Sequence, residues 1–141
     1  MDAKNLRGPA AGQASATFTP TVLAVDASAA LLQTLCAVFQ TTPYLCVTAD
    51  NTINALCAVV EHNPEVILVD ADSGPLATWQ FCMLLKSHAQ YCDIRLIVTC
   101  GRNDLAEQAR ACACGADFFL AKPFTAEEVL ALLTSRFESA A

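Results

Sequence analysis

The sequence predicts an α/β fold: a doubly wound, five-stranded parallel sheet of order 2-1-3-4-5, flanked by five helices. Short apolar runs alternate along the chain with segments whose apolar residues recur at helical spacing. The clearest run, Val66 to Val69, has no polar alternation, which is typical of a strand covered on both faces, and it leads into Asp70. Strict alternation of strands and helices implies parallel strands joined by right-handed crossovers.

Composition limits the classes of function. The chain has 141 residues, enough for one domain, and 55% of them are hydrophobic. Its net charge is -6 and its basic residues are scattered, which argues against nucleic acid as a partner. No apolar run approaches the roughly 20 residues of a membrane helix, and residues 1–16 contain no apolar signal segment. We therefore expect a cytoplasmic protein without membrane insertion.

The first elements follow a stretch without periodicity. Residues 1–20 are rich in Ala, Gly, Ser, Thr and Pro, which predicts a flexible leader. Strand one is Thr21 to Val25, and it ends at Asp26. Helix one covers residues 28–40, with Asp26 or Ser28 as its N-cap.

The second strand and helix are shorter. Strand two is Leu45 to Ala49, and helix two runs from about Thr52 to His62, with Asp50 or Asn51 as its N-cap. We predict that its apolar residues share one face: Ile53, Leu56, Cys57 and Val60.

Strand three is Val66 to Val69, and glycine and proline mark the elements after it. Gly74-Pro75 indicates a turn before helix three, at about residues 78–87. Strand four is residues 94–99, and Asn103 or Asp104 starts helix four.

Helix four ends at about Cys114 and is closed by Gly115. Strand five is residues 118–120. Lys122-Pro123 follows it, and the spacing from Thr125 to Glu128 is that of a capping box at the start of helix five.

The chain contains eight cysteines and no C-x-x-C motif. Because most lie among apolar residues, we interpret them as small buried hydrophobic side chains. The alternative is a metal or redox pair formed by Cys112 and Cys114, although C-x-C without a nearby His is a weak signal.

Polar residues stand at the ends of four strands: Asp26, Asp70, Thr99 and Lys122. In a parallel sheet these ends share one edge, and between neighbouring central strands one and three the groups would converge. Two carboxylates, a hydroxyl and an ammonium suit phosphoryl transfer to a carboxylate, with oxygen ligands left for Mg²⁺.

The pattern resembles the receiver domains of response regulators in two-component phosphorelay signal transduction, of the CheY-like chemotaxis and pilus-motility type. The resemblance covers Thr21 to about Phe137, within a receiver domain at residues 21–138 with a tail at 139–141. Its carriers are Val22-Leu23-Ala24-Val25-Asp26, Val66-Ile67-Leu68-Val69-Asp70, Ile97-Val98-Thr99 and Gly115-Ala116-Asp117-Phe118-Phe119-Leu120-Ala121-Lys122-Pro123-Phe124.

The resemblance implies the flavodoxin-like receiver fold and a role for each matching residue. Asp70 is implied as phosphoacceptor, Thr99 as switch hydroxyl, Lys122 as the lysine that pairs with the phosphoryl group, and Phe119 as switch aromatic. The implied Mg²⁺ ligands are Asp26, Asp70 and the backbone carbonyl of Asp72. The implied partners are a histidine kinase or phosphotransfer protein and a downstream target protein, and a cis bond is implied at Lys122-Pro123.

Two departures weaken the implied metal site. The second acidic residue of the family's pair is Ala27 here, and the loop after Asp70 lacks the family's Met-Pro and Asp-Gly. Three hypotheses therefore stay open. The first is a stand-alone phosphorylated receiver, and the second is a pseudo-receiver adaptor independent of phosphorylation; neither is an enzyme. The third is a flavodoxin-like nucleotide binder or Cys-based redox protein, which ranks last because the chain has no phosphate-binding glycine loop.

Overall fold

The computed structural model describes residues 20–101 and 105–140. Its sheet has five parallel strands in the order β2-β1-β3-β4-β5, which confirms the predicted fold class and strand order. The strands are β1 Thr21–Val25, β2 Leu45–Ala49, β3 Val66–Asp70, β4 Arg95–Cys100 and β5 Phe118–Ala121. The helices are α1 Ala29–Phe39, α2 Thr52–His62, α3 Thr78–Lys86, α4 Leu105–Ala113 and α5 Ala126–Ala140. No helix in the described ranges has the length and apolar character needed to cross a membrane.

Two predictions fall outside the described residues: the leader, apart from Pro20, and the start of α4 at Asn103 or Asp104. The other helix starts are resolved between the alternatives. Ser28 caps α1, with its Oγ accepting from the Leu31 amide at 3.2 Å. Asn51 caps α2, with its Oδ1 accepting from the Asn54 amide at 2.8 Å.

The capping box of α5 forms as predicted. The Thr125 amide donates to Glu128 Oε1 at 2.8 Å, and the Glu128 amide donates to Thr125 Oγ1 at 3.1 Å. The Lys122-Pro123 bond is cis as expected, and so is Gly74-Pro75.

The core has two layers because alternate residues of the central strands face opposite sides of the sheet. On one side, Leu23 and Ile67 join the buried residues of α2, α3 and α4. On the other, Val22 and Leu68 pack with those of α1 and α5. The central strands are thereby held between two helical layers, which fixes the position of their carboxyl ends.

Of the apolar face predicted for α2, Leu56 packs against the core, whereas the other three residues are exposed. Val60 is 72% exposed and Ile53 46% exposed, and Cys57 is also exposed. The helix instead buries Thr52, Ala55, Ala58 and Val59. Small side chains let a helix lie close to a sheet, so packing rather than hydrophobicity selected this face.

The prediction that the cysteines are buried holds for only some of them. Cys82, Cys100 and Cys114 are buried, whereas Cys57 and Cys112 are exposed. Because Cys112 is exposed and Cys114 buried, their thiols lie in different environments. Among residues 20–101 and 105–140, no group of three or more His, Cys, Asp or Glu side chains could hold a metal ion.

Lys86 connects the end of α3 to the loops before β4 and β5. Its Nζ donates to the carbonyls of Cys92 at 3.2 Å and Ile94 at 3.0 Å, and lies 3.3 Å from Asp117 Oδ2. The same Asp117 oxygen accepts from the Leu96 amide at 2.9 Å. This contact set was not predicted from the sequence.

Trp79 of α3 and Arg110 of α4 form a second contact between elements. The Arg110 guanidinium carbon lies 5.6 Å from the centroid of the Trp79 ring. This is within the distance at which a cation is attracted to an aromatic face. The contact links α3 to α4 on the outside of one helical layer.

The free energy of unfolding is expected to fall at alkaline pH, because the Cys46 thiol is half-buried and the Cys82 thiol is buried. Burial raises the pKa of Cys46 from 9.0 to about 12, with further contributions from the hydrogen bond and charge interaction with Cys36. Burial, together with Cys114, also raises the pKa of Cys82. Between about pH 9 and 12 the unfolded chain therefore loses thiol protons that the folded chain keeps, and the free energy of unfolding decreases.

Urea unfolding at pH 8.0, 9.5 and 10.5 measures this loss. In Cys46→Ala the free energy of unfolding should fall less steeply with pH. The slope should change by a fraction of the ~1.4 kcal/mol per pH unit that one proton carries, because this thiol is only half-buried. Cys57→Ser, at an exposed thiol, should keep the full slope. Equal slopes for Cys46→Ala and the unchanged protein would contradict the expectation.

Candidate functional site

Three charged side chains meet at the edge of the sheet where the strands have their carboxyl ends. Asp26 follows β1, Asp70 ends β3, and Lys122 follows β5. Thr99 lies in β4 directly opposite Asp70 in the β3–β4 register. The adjacency of β1 and β3 places Asp26 beside Asp70 at the same edge, so the convergence inferred from the sequence is present.

Lys122 bridges the two carboxylates. Its Nζ lies 2.6 Å from Asp26 Oδ2 and 2.8 Å from Asp70 Oδ1. The Lys122 amide donates to the Cys100 carbonyl at 2.7 Å, which fixes the backbone from which the side chain extends. Burial acts to lower the pKa of Lys122, but the hydrogen bonds and charges of Asp26 and Asp70 outweigh it and raise that pKa. The ammonium therefore stays charged between the carboxylates.

Backbone amides hold the second oxygen of each carboxylate. Asp26 is 6% exposed, and its Oδ1 accepts from the Ser28 amide at 2.8 Å. Asp70 Oδ2 accepts from the Asp72 amide at 3.0 Å, and the Asp70 carbonyl accepts from Thr78 Oγ1 at 2.7 Å. The more exposed of the two is Asp70, whose side chain has 14% of its area in contact with solvent, against 8% for Asp26.

The remaining predicted residues differ in burial and in position. Thr99 is 4% exposed, and its carbonyl accepts from the Ala71 amide at 2.7 Å. Asp72 is exposed beside Asp70. Phe119 is half-buried on β5, where it packs against the core layer under α2, α3 and α4. Ala27 is exposed immediately after Asp26.

Comparison with known proteins identifies the family of the chain. The family model of the response regulator receiver domain matches residues 22–134. The chain belongs to this family. The receiver is 28% identical over 93 residues to Protein PilG of Pseudomonas aeruginosa, covering 66% of this chain and 69% of that protein. It is 26% identical over 113 residues to the phosphate regulon transcriptional regulatory protein PhoB of the same organism, covering 80% of this chain but only 49% of that protein.

Solved structures agree with this assignment. The chemotaxis response regulator CheY4 of Vibrio cholerae superposes with a TM-score of 0.78 at 25% identity, covering 83% of this receiver and 98% of that chain. The BeF3-activated DrrB receiver domain superposes with a TM-score of 0.77 over 86% of this receiver and 99% of that chain, at 19% identity, which supports the fold alone. Receiver domains are generally signalling modules in two-component systems, not enzymes, and they generally bind Mg²⁺ at an acidic site.

The donor set of this receiver fits Mg²⁺ with few protein ligands. Mg²⁺ often takes one or two carboxylates and completes its shell with water. Asp26 and Asp70 supply two carboxylates, and Asp72 has a backbone carbonyl in the adjoining loop. Ala27 supplies none, and Lys122 already pairs with both acidic groups, so a bound cation and the ammonium would share the same oxygens.

Two threonines that the sequence analysis missed anchor the loop after Asp70. Thr78, which opens α3, bonds the Asp70 carbonyl. Thr52, which opens α2, donates from its amide to the Ser73 carbonyl at 2.9 Å and from its Oγ1 to the Leu76 carbonyl at 2.6 Å. Both are buried polar residues at helix starts facing the loop, and that position was the available signal.

Proposed function

We propose that this chain is an atypical receiver that accepts a phosphoryl group on Asp70 and signals through protein contacts. The observation that carries the proposal is Lys122 at hydrogen-bond distance from both Asp26 and Asp70. That lysine holds a positive charge beside the more exposed carboxylate, where a phosphoryl group would arrive. Positive charge fixed in advance is the main requirement of phosphoryl transfer, because the transferred group is strongly negative.

The residues have separable roles in the proposed reaction. A carboxylate oxygen of Asp70 attacks phosphorus, the bond from phosphorus to the donor's nitrogen breaks, and an acyl phosphate forms. Lys122 then exchanges its contact with Asp70 for one with a phosphoryl oxygen, and its contact with Asp26 is kept. Thr99, opposite Asp70 on β4, supplies a hydroxyl for the same group. Mg²⁺, when bound, supplies further charge neutralisation.

The proposed partners are a histidine kinase or phosphotransfer protein upstream and a target protein downstream. The likeness to Protein PilG and to a chemotaxis response regulator supports a place in a chemotaxis-like or pilus-motility system. We propose that the new contact between the Thr99 hydroxyl and the phosphoryl group affects the surface of α4, β5 and α5. The effect would pass through Phe119, which lies on β5 next to β4.

A pseudo-receiver adaptor is the second candidate, and Ala27 favours it. Without a second acidic residue after β1, the charge that attracts Mg²⁺ is reduced, and Lys122 neutralises part of what remains. In that case Asp70 and Lys122 form a permanent ion pair and the domain recognises its partner without phosphorylation.

Beryllofluoride, a phosphoryl mimic, separates the two candidates. With 10 mM Mg²⁺ we expect it to raise the thermal unfolding midpoint by several degrees, because a ligand that binds only the folded state stabilises it. Asp70→Asn should abolish the rise, whereas Asp93→Asn, at an exposed carboxylate outside the site, should keep it. No rise in the unchanged protein, or an equal rise in Asp70→Asn, would contradict phosphorylation at Asp70.

A gain-of-function variant tests the metal site directly. Ala27→Asp restores a carboxylate at an exposed position beside Asp26, so we expect Mg²⁺ to bind at least roughly tenfold tighter in titration calorimetry. Unchanged Mg²⁺ affinity in this variant would show that position 27 does not limit the site.

A further inference from the structure

Outside the carboxylate site, two cysteine side chains are in contact with each other. Cys36 is in the last turns of α1 and Cys46 is in β2, the edge strand of the sheet. Their sulfur atoms are 3.6 Å apart, and both thiols are half-buried. Neither contributes to the site formed by Asp26, Asp70 and Lys122.

The pair is reachable from solvent. A surface pocket of about 320 Å³ is lined by both cysteines, together with Phe39, Gln40 and Tyr44. A second pocket of about 230 Å³ is lined by Cys36 together with Gln33 of α1 and Thr48 of β2. Each is larger than the roughly 30 Å³ that one water molecule occupies, so a small oxidant can enter.

We propose that Cys36 and Cys46 form an oxidation site, at which hydrogen peroxide converts the two thiols into a disulfide that ties α1 to β2. The atoms balance with one peroxide. The Cys36 sulfur attacks one peroxide oxygen, the O–O bond breaks, and the Cys36 thiol proton leaves with the other peroxide oxygen as water, which gives Cys36 sulfenic acid. The Cys46 sulfur then attacks the Cys36 sulfur, the S–O bond breaks, and a second water leaves with the Cys46 proton. Two thiols are oxidised by two electrons and the peroxide is reduced.

The environments assign the order of the steps. Burial, and then Cys36, raise the pKa of Cys46 to about 12, so Cys46 stays a protonated thiol while its neighbour is unmodified. Cys36 lines both pockets whereas Cys46 lines only the larger one, so peroxide has more access to the Cys36 sulfur and oxidises it first. Cys46 is then the resolving thiol, already in contact with the sulfenic acid.

The geometry demands little movement. A disulfide needs about 2.05 Å between its sulfur atoms, which is reached if each sulfur moves by roughly half of the difference from 3.6 Å. Within the part of the chain that the structure describes, β2 is an edge strand that pairs with β1 alone, so a shift at Cys46 disturbs one ladder. The other close pair, Cys82 with Cys114, is buried on both members and is shielded from the oxidant.

Intact-mass analysis tests the proposal on the full chain carrying Cys57→Ser and Cys112→Ser, which removes the two exposed thiols. One equivalent of hydrogen peroxide should lower the mass by about 2 Da and remove two titratable thiols, and dithiothreitol should reverse both changes. Chymotrypsin can cleave after Phe39 and Tyr44, so the fragments carrying Cys36 and Cys46 should stay joined until reduction. Joining of any other two cysteines, or no loss of mass, would overturn the proposal.

Two single variants in this background test the roles within the pair. Cys46→Ser should accumulate Cys36 sulfenic acid, which dimedone traps as an adduct on that residue. Cys36→Ser should give neither the adduct nor the 2 Da loss. Retention of the mass loss in Cys36→Ser, or a dimedone adduct at Cys46 in the parent background, would show that the assigned chemistry is wrong.

Discussion

Replacing Lys122 by methionine should lower the free energy of unfolding by about 2 kcal/mol when no divalent cation is present. Asp26, with 8% of its side chain exposed, would keep the Ser28 amide as its one hydrogen-bond partner among the described residues and would face Asp70 with no charge between them. Methionine fills a similar volume, so the loss would come from charge rather than packing. Urea unfolding in EDTA measures the difference.

The same variant should respond more strongly to Mg²⁺ than the unchanged protein. Removing the ammonium frees both carboxylates, so millimolar Mg²⁺ should recover a large part of the lost stability. In the double variant Lys122→Met/Asp26→Asn the loss should shrink, because the more buried of the two carboxylates is then uncharged and no longer repels Asp70. Full stability of Lys122→Met in EDTA, or no added response to Mg²⁺, would contradict the competition between lysine and metal.

Replacing Gly115 by alanine should lower the free energy of unfolding by about 2–3 kcal/mol. Gly115 has a φ of +93°, which side chains rarely adopt, and a Cβ there would lie 2.8 Å from Lys86 Cγ. The lysine would have to move and would lose its contacts with Ile94 and Asp117. Thermal or urea unfolding measures the cost.

Gly101 provides the matched control for Gly115. A Cβ there would meet no atom of the described residues within 4 Å, and its φ is not positive. Gly101→Ala should therefore change stability by less than about 1 kcal/mol. If both alanine variants were equally stable, the strain and the contact with Lys86 would carry no energetic weight.

Much of the fold was predictable because local signals agreed with the global pattern. The apolar run before Asp70, Ser28 among the candidate caps and the Thr125–Glu128 spacing each depend on neighbours in sequence. The face of α2 was different. Two stripes at helical spacing overlap on that helix, one containing Val60 and one containing Ala55, and hydrophobicity favours the wrong one. Which stripe faces the sheet depends on packing against residues distant in sequence, and this is not encoded locally.

The site was predictable for the same reason and to the same limit. Parallel strands must end at one edge, so Asp26, Asp70 and Lys122 were expected to be close. That one ammonium touches both carboxylates depends on how far a flexible side chain extends after β5. The contact of Cys36 with Cys46 depends on how α1 lies over the edge strand, and no spacing in the sequence signals it.

The contact between Arg110 and Trp79 has a practical consequence for spectroscopy. Trp79 is the single tryptophan of the chain, so its emission arises from one known place without any introduced dye. A guanidinium near an indole face alters its fluorescence, and here the cation is carried by α4 while the fluorophore is carried by α3. The protein therefore contains an intrinsic optical probe of the separation between these helices, on the side toward which a signal from Asp70 is proposed to travel.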